Sequence, residues 1–401
     1  MMTAHPWRPY VLLVLAISIP LLLFESLFSH LIFVNRARPR IKRFAELPLR
    51  FRYDGTFKIL QVADMHFGNG KATRCKDVLD SEFEWCSDLN TTRFLRRMIE
   101  AERPDLIAFT GDNIFGPSAT DAAESLFRAF APAMESMIPW AAILGNHDQE
   151  SSMNREELMS LVSLMDYSVS QVNPPSAGGT MRIEGFGNYH IKVHGAPGSG
   201  LDNTSILNLY FLDSGDRVVV SGRKTYGWIR ESQLNWVHSI SQQSQLQVES
   251  QSLSPALAFF HIPIPEVRDL WFKKIKGTFQ EYVACSFVNS GVLNTLVSMR
   301  DVKAVFFGHD HLNDFCGELN HISVCYGGGF GYHAYGRAGW PRRARVIKAE
   351  LRKGSKTWMG IQNILTWKRI DDERLTKIDD QVLWSHADDE EEDSSHSQKD
   401  V

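Results

Sequence analysis

The segment Phe57-Lys58-Ile59-Leu60-Gln61-Val62-Ala63-Asp64-Met65-His66 decides the fold. A mostly apolar, partly β-branched run ends abruptly in a carboxylate and an imidazole two positions apart. Such a run reads as a strand covered on both faces, which is the strand type of a layered α/β protein. Residues i and i+2 of an extended segment point the same way, so Asp64 and His66 present two donors from one strand end. The pattern recurs along the chain. Residues 106–110 run into Gly111-Asp112-Asn113, residues 140–144 into Gly145-Asn146-His147-Asp148, residues 256–260 into His261, and residues 302–307 into Gly308-His309-Asp310-His311. In layered α/β folds the carboxyl ends of strands are where sites assemble, so residues far apart in sequence converge there.

The stretches between these strands are read more coarsely. Residues 91–102 and 122–137 have helical spacing, and Arg103-Pro104 stops the first of them. Residues 225–238, with Trp228, Leu234 and Trp236, are assigned to another helix, and the Ser/Gln-rich 241–255 to an exposed loop. A further apolar run spans 206–212, and a hairpin-like segment spans 189–194. Its His190 and His194 have no partner motif and are assigned to structure or surface. Trp228, Trp236 and Trp271 are assigned to core or cleft wall. The alternating segments 345–352 and 357–368 read as closing strands. The expected organisation is one large domain at 55–350, completed by strands in 351–384.

Both ends of the chain differ from its body. Residues 10–24 are apolar and uncharged, preceded by Arg8, and the chain stays mostly apolar to Val34. Residues 1–34 are therefore expected to be a signal peptide or signal anchor, followed by a basic linker at 35–54 holding Arg36, Arg38, Arg40, Lys42 and Arg43. That charge flank opposes export under the positive-inside tendency. Asn90-Thr91-Thr92 and Asn203-Thr204-Ser205 are glycosylation acceptors, and they favour it. So do Cys75 with Cys86 and Cys316 with Cys325, spaced for two short-loop disulfides, with Cys285 left as a buried thiol. A secretory-pathway location, secreted, vacuolar, lumenal or membrane-anchored, is expected, with membrane contact only through an uncleaved N-terminal segment. The tail at 385–401 carries seven acids and one base and is expected to be solvated and disordered.

Composition narrows the function classes. With 401 residues, 43% apolar and 22% charged, the chain is neither disordered, collagenous nor a multi-span membrane protein. A net charge of −4 and no legible basic, aromatic-rich groove argue against a nucleic-acid partner. The strand-end residues Asp64, Asp112, Asn146, His66, His261, His309 and His311 offer oxygen and imidazole donors without thiolates. That set suits Zn, Mn or Fe, and one shared carboxylate makes it sufficient for two ions. Gly111, Gly145 and Gly308 are assigned backbone conformations closed to other residues.

The ordered set Asp-x-His, Gly-Asp, Gly-Asn-His-Asp, lone His and Gly-His-x-His resembles the calcineurin-like metallophosphoesterase superfamily, over about 57–336. Within it, 61–67 and 308–314 look most like the small purple acid phosphatase-related proteins of plants and their fungal relatives. The resemblance implies a four-layer α/β/β/α sandwich with two mixed sheets. It further implies one metal at Asp64, His66, Asp112 and His311, and a second at Asp112, Asn146, His261 and His309, with Asp112 bridging. His147 would contact substrate and protonate the leaving oxygen. Asp148 is expected to orient a neighbouring imidazole, and Asn313 and Asp314, just past the last ligands, either to orient His311 or to lie in a solvated loop. Tyr332 and His333 would line a cleft, beside an unassigned His321. The purple enzymes have Asp-x-Gly and Gly-Asp-x-x-Tyr, whereas this chain has His66 and Phe115 at those points. A two-metal site without the purple chromophore is therefore expected. The expected activity is hydrolysis of small phosphate monoesters, acid phosphatase-like. The alternatives are a phosphodiester or nucleotide hydrolase, or an inactive protein that keeps the fold for binding.

Overall fold

The computed structural model describes residues 8–35, 42–174, 182–246 and 253–386. The chain forms two compact units, Met1–Arg43 and Phe44–Val401. The first holds helix α1 (Arg8–Asn35), with Pro20 inside it. Among the described residues no helix is long and apolar enough to cross a membrane. The anchor expected over 10–34 has many of its side chains outside the described set, as do the basic residues 36–41 and nearly all of the acidic tail.

The second unit is built on two sheets. Its first strands are β1 (Leu49–Arg50), β2 (Thr56–Val62), β3 (Leu106–Thr110), β4 (Trp140–Ile143), β5 (Tyr189–His194) and β6 (Ser205–Phe211). A small hairpin, β7 (Arg217–Val220) and β8 (Arg223–Tyr226), precedes β9 (Ala256–Phe259) and β10 (Val302–Phe307). The last strands are β11 (Cys316–Leu319), β12 (Ile322–Tyr326), β13 (Arg343–Lys353), β14 (Trp358–Ile370) and β15 (Lys377–Ser385). One sheet has the order β1-β5-β6-β9-β10-β12-β11 and the other β15-β14-β13-β2-β3-β4. β2, β3 and β4 pair in parallel, as do β6, β9, β10 and β12, while the remaining pairs except β1–β5 are antiparallel. β3, β4 and β9 are buried along their whole length, the expected property of strands covered on both faces. Gln61 of β2 donates to Phe307 O of β10 at 3.1 Å, one of the polar ties between the two sheets.

Helices cover the outer faces, giving the four-layer α/β/β/α sandwich. α2 (Asp80–Phe83), α3 (Asp88–Glu102), α4 (Ala122–Ser136) and α5 (Arg155–Leu164) follow the strands of the second sheet, and α6 (Glu231–Leu246) packs with α7 (Val292–Met299). Local chemistry sets their ends. Ser87 caps α3 by accepting from Leu89 N, and Arg103, left-handed at φ 46°, closes it before Pro104. Asp121 caps α4 through Glu124 N.

Three sequence expectations are corrected. Leu49 and Arg50, assigned to the linker, form an edge strand parallel to Val193 and His194. Residues 225–238 do not begin a helix: Thr225 and Tyr226 pair with Val218 and Arg217, and α6 starts only at Glu231. The apolar spacing there was real, but hairpin pairing takes its first residues. The polar stretch after Ser241 continues α6 to Leu246, because Ser241 is buried and donates to Asp301 at 2.9 Å.

Candidate metal centre

The ends of β2, β3, β4, β9 and β10 bring the seven strand-end residues to one place. Asp64, His66 and His311 form one group whose donor atoms lie within 4.8 Å of one another, and Asp112, His261 and His309 form a second. Asp112 joins them: its Oδ2 is 3.4 Å from His66 Nε2 and 3.2 Å from His261 Nε2. His311 Nε2 lies 3.4 Å from Asp64 Oδ1, and His309 Nδ1 lies 3.3 Å from His261 Nε2. All these side chains are buried.

The backbone is bent to achieve this. Asp64, His66, Asp112 and His309 all have left-handed φ values, 58°, 46°, 49° and 80°. Such conformations are uncommon for non-glycine residues, and four at one centre are held there by the surrounding contacts. His309 N donates to both Asp64 carboxylate oxygens at 3.1 Å, and His147 N donates to Asp112 Oδ1 at 2.7 Å. The glycine expectation holds for Gly111 alone, at φ 91°. Gly145 and Gly308 matter through lack of bulk: a Cβ on Gly145 would stand 2.1 Å from Asp112 Oδ1, and one on Gly308 2.6 Å from Asp64 Oδ2.

The donor set fits metal ions. His261 Nδ1 is bound to Thr110 O at 2.9 Å and His311 Nδ1 to Tyr335 O at 2.9 Å, which aims both Nε2 atoms at the carboxylates. His66 Nε2 and His309 Nε2 make no hydrogen bond although buried. Burial drops His66 to about 4 and His309 to about 3, so both rings stay neutral, as ligands must. His261 behaves oppositely: burial opposes its charge, yet the Asp112 and Asp64 carboxylates raise it to about 9. Asp112, despite burial, is held well below the usual carboxylate range by His261 and His66. Two buried carboxylates beside four imidazoles make this a place that favours positive charge.

Asn146 adds a geometric argument. One terminal atom of its amide is 2.8 Å from His309 Nδ1, and the other is 2.9 Å from Arg217 Nη2. With nitrogen inward both contacts are hydrogen bonds. With oxygen inward, as a metal ligand requires, the NH2 group opposes the guanidinium.

At the rim stands His147, one-fifth exposed. Its Nδ1 meets Glu150 Oε2 at 2.5 Å, and its Nε2 meets Arg217 Nη2 at 3.0 Å. Phe115, where the purple enzymes have tyrosine, packs 5.4 Å from His66 and 4.9 Å from His147, centroid to centroid. Lys76 lies over its other side at 4.3 Å. Tyr226 sets its ring edge-on to His309 at 4.4 Å, and Tyr335 stacks on His311 at 3.8 Å.

Several expected roles are corrected. Asp148 orients no imidazole. It is buried and accepts from Gly145 N at 2.7 Å and Ile114 N at 2.9 Å, bracing two ligand loops, and burial with the Asp112 charge raises it to about 6. Glu150 is the carboxylate beside His147. Asn313 does not orient His311: its side chain holds Gln280 N, Glu281 N and Glu281 O. Asp314 is fully buried rather than solvated, paired with Lys368 at 2.7 Å and Arg343 at 2.6 Å. Tyr332 is committed to Asp371 at 2.6 Å. His333 sits behind Phe115, with Ser118 Oγ on one nitrogen and Arg74 O on the other. His190 bonds Asn208 at 3.0 Å, and His321 is a left-handed turn residue.

Cys75–Cys86 and Cys316–Cys325 are disulfides, and Cys285 is a buried free thiol. Asn90 lies in the first turn of α3 with its side chain accepting from Ser87 N at 3.3 Å, while Asn203 lies in an exposed turn.

Comparison with known proteins agrees with this geometry. A family model described as calcineurin-like phosphoesterase matches residues 57–313. The chain is 64% identical to the Arabidopsis thaliana protein named "Probable inactive purple acid phosphatase 28", over 95% of this chain and 97% of that one. It is 32% identical to "Phosphatase DCR2" of Saccharomyces cerevisiae, over 79% of this chain and 54% of that one. Among solved structures, a dimetal phosphatase from Danio rerio shares the fold, with a TM-score of 0.51 at 16% identity, over 82% of this chain and 99% of that one. The chain belongs to the calcineurin-like phosphoesterase family.

Proposed function

We propose that this protein hydrolyses phosphate monoesters at a two-metal centre. The observation that carries the reading is the convergence of two carboxylates, Asn146 and four imidazoles around the shared Asp112, with His147 at the rim. Asp64, His66, Asp112 and His311 would hold one ion, and Asp112, Asn146, His261 and His309 the other. Such a pair supplies Lewis acidity towards the phosphoryl oxygens and a water that is nucleophilic near neutral pH. The metals are of the Fe, Zn or Mn class, by donor chemistry.

The chain's own residues do the rest. Thr110 O and Tyr335 O fix two imidazoles, and Asp148 braces the loops that carry Asp112 and Asn146. His147, held at Nδ1 by Glu150, presents Nε2 to the ester and hands a proton to the departing alkoxide oxygen. A small phosphorylated substrate is the fitting partner. A secretory-pathway location is part of this reading, and the two disulfides support it, since such bonds persist in oxidising compartments.

The Arabidopsis thaliana relative named inactive raises a second reading, a binding protein on the same fold. The experiment that separates the two is metal analysis with phosphatase assays on a small ester panel after Mn, Zn or Fe reconstitution, for wild type and His147→Ala. Two metals with turnover, and a variant that keeps its metals but loses about 10² to 10⁴-fold in turnover, is the expected result. Fewer than one metal per chain and no turnover after every reconstitution would leave the binding protein.

A further inference from the structure

We propose that Arg217 is the phosphoryl-binding arm of this centre, carried on the β7–β8 hairpin and parked on His147 until an anion arrives. The inference rests on the phosphoesterase reading above and names the residue that recognises its anion. The hairpin belongs to neither large sheet. Its base pair is Arg217 opposite Tyr226, and directly opposed residues of an antiparallel pair share a face. Both reach the metal centre: Tyr226 meets His309, and the Arg217 guanidinium lies against Asn146 and His147.

The present partners of Arg217 are substitutes for an anion. Nη1 donates to Glu150 Oε1 at 2.6 Å and to Asn146 O at 3.2 Å, and Nη2 donates to His147 Nε2 at 3.0 Å. The last contact is the weakest match chemically, since it sets a guanidinium on an imidazole nitrogen rather than on an anionic oxygen. It also blocks the atom that must carry a proton in the reaction. The side chain is 43% exposed, and its ion pair with Glu150 is on the solvent side of the centre, where such pairs are weak. A phosphoryl group offers two anionic oxygens to the guanidinium fork, against the single Glu150 oxygen, the imidazole and the peptide carbonyl that hold it here.

The Asn146 side chain is compatible with the parked position: with its amide oxygen towards the guanidinium it accepts from Arg217 Nη2 at 2.9 Å. Moving Arg217 to an anion would free Nε2 of His147, while Glu150 stays on Nδ1.

The test uses the full chain reconstituted with Mn or Zn: wild type, Arg217→Ala and Arg217→Lys. Metal content, melting temperature and the affinity for inorganic phosphate, by calorimetry and by competitive inhibition, are measured for each. Expected are two metals and an unchanged melting temperature without phosphate in all three. Phosphate affinity should fall about 10- to 100-fold in Arg217→Ala, with partial recovery in Arg217→Lys. KM should rise with the same order. Unchanged phosphate affinity in Arg217→Ala with its metals in place overturns the assignment and leaves the hydrolase reading standing. Arginine-dependent phosphate binding without turnover supports the assignment and overturns the hydrolase reading alone. A wild type that ignores millimolar phosphate overturns the assignment outright.

Discussion

Gly145→Ala is a one-atom change that should dismantle the centre without touching a ligand. The added Cβ would stand 2.1 Å from Asp112 Oδ1 and 2.4 Å from Asp112 N. Non-bonded heavy atoms settle near ~3.5 Å, so the Asp112 loop must retreat by more than about 1 Å. Overpacking of this kind costs about 1–3 kcal/mol, or roughly 1–4 °C in melting temperature for a chain of this size. The functional loss should be larger, because Asp112 Oδ2 serves both ligand groups, and a misplacement near 1 Å costs on the order of 10² in rate. Gly360→Ala is the control: a Cβ there meets nothing within 4 Å, and its stability should stay within about 0.5 kcal/mol of wild type. The assay is thermal unfolding of the metal-free protein, then metal content and ester hydrolysis after reconstitution. A Gly145→Ala protein that melts with the wild type and binds two metals would refute the reasoning that this glycine keeps space for Asp112.

His190 is half-buried beside Asn208, and desolvation lowers it to about 4. The unfolded chain therefore takes that proton first as pH falls, so this contribution is intact above about 6.5 and is lost progressively down to about 4. It amounts to about 3 kcal/mol at most. Urea unfolding at pH 7 and pH 4.5 should show a smaller acid loss in His190→Gln than in wild type; equal losses would dismiss the effect. Reducing or replacing the Cys316–Cys325 bond, whose cysteines sit directly opposite each other in β11 and β12, should cost roughly 2–3 kcal/mol by loop entropy. Denaturant midpoints of Cys316→Ser/Cys325→Ser and wild type check this. Loaded with ferric iron, the wild type should show no purple band, since Phe115 offers no phenolate beside His66, and Phe115→Tyr should gain one. A purple wild type contradicts that assignment.

The strands and ligands were legible because the signal is local and repeated. A strand buried on both faces must be apolar throughout, and its first polar residues mark the end where the chain turns, as at Val62 to Asp64 and Phe307 to His309. What lay outside the sequence pattern came from direction and distance. Asp148 adjoins His147 in the chain, yet its side chain turns back to the amides of Gly145 and Ile114. Glu150, three residues on, comes round to the imidazole through a single helical turn at Asp148–Glu150. Arg217 carried no signal at all: a lone arginine at the start of a half-exposed hairpin has no periodicity, and its partner Tyr226 fell inside a stretch with helix-like spacing. A solvated loop was one reading of Asn313 and Asp314 because polar residues after a strand usually are solvated. Both are buried: Asp314 is paired with Lys368 and Arg343, contributed by β14 and β13, and Asn313 is held by the backbone of Gln280 and Glu281.

The left-handed backbone at Asp64, His66, Asp112 and His309 sets stability and chemistry against each other at single positions. Each non-glycine residue there costs the fold roughly 1–2 kcal/mol relative to what glycine would permit. A lineage selected only for a durable sandwich would drift towards glycine at these four sites, gaining stability with each exchange and losing a donor each time. Occupation of all four by carboxylates and imidazoles is the less stable choice for the local backbone, and it is the choice that keeps every donor of the candidate centre in place.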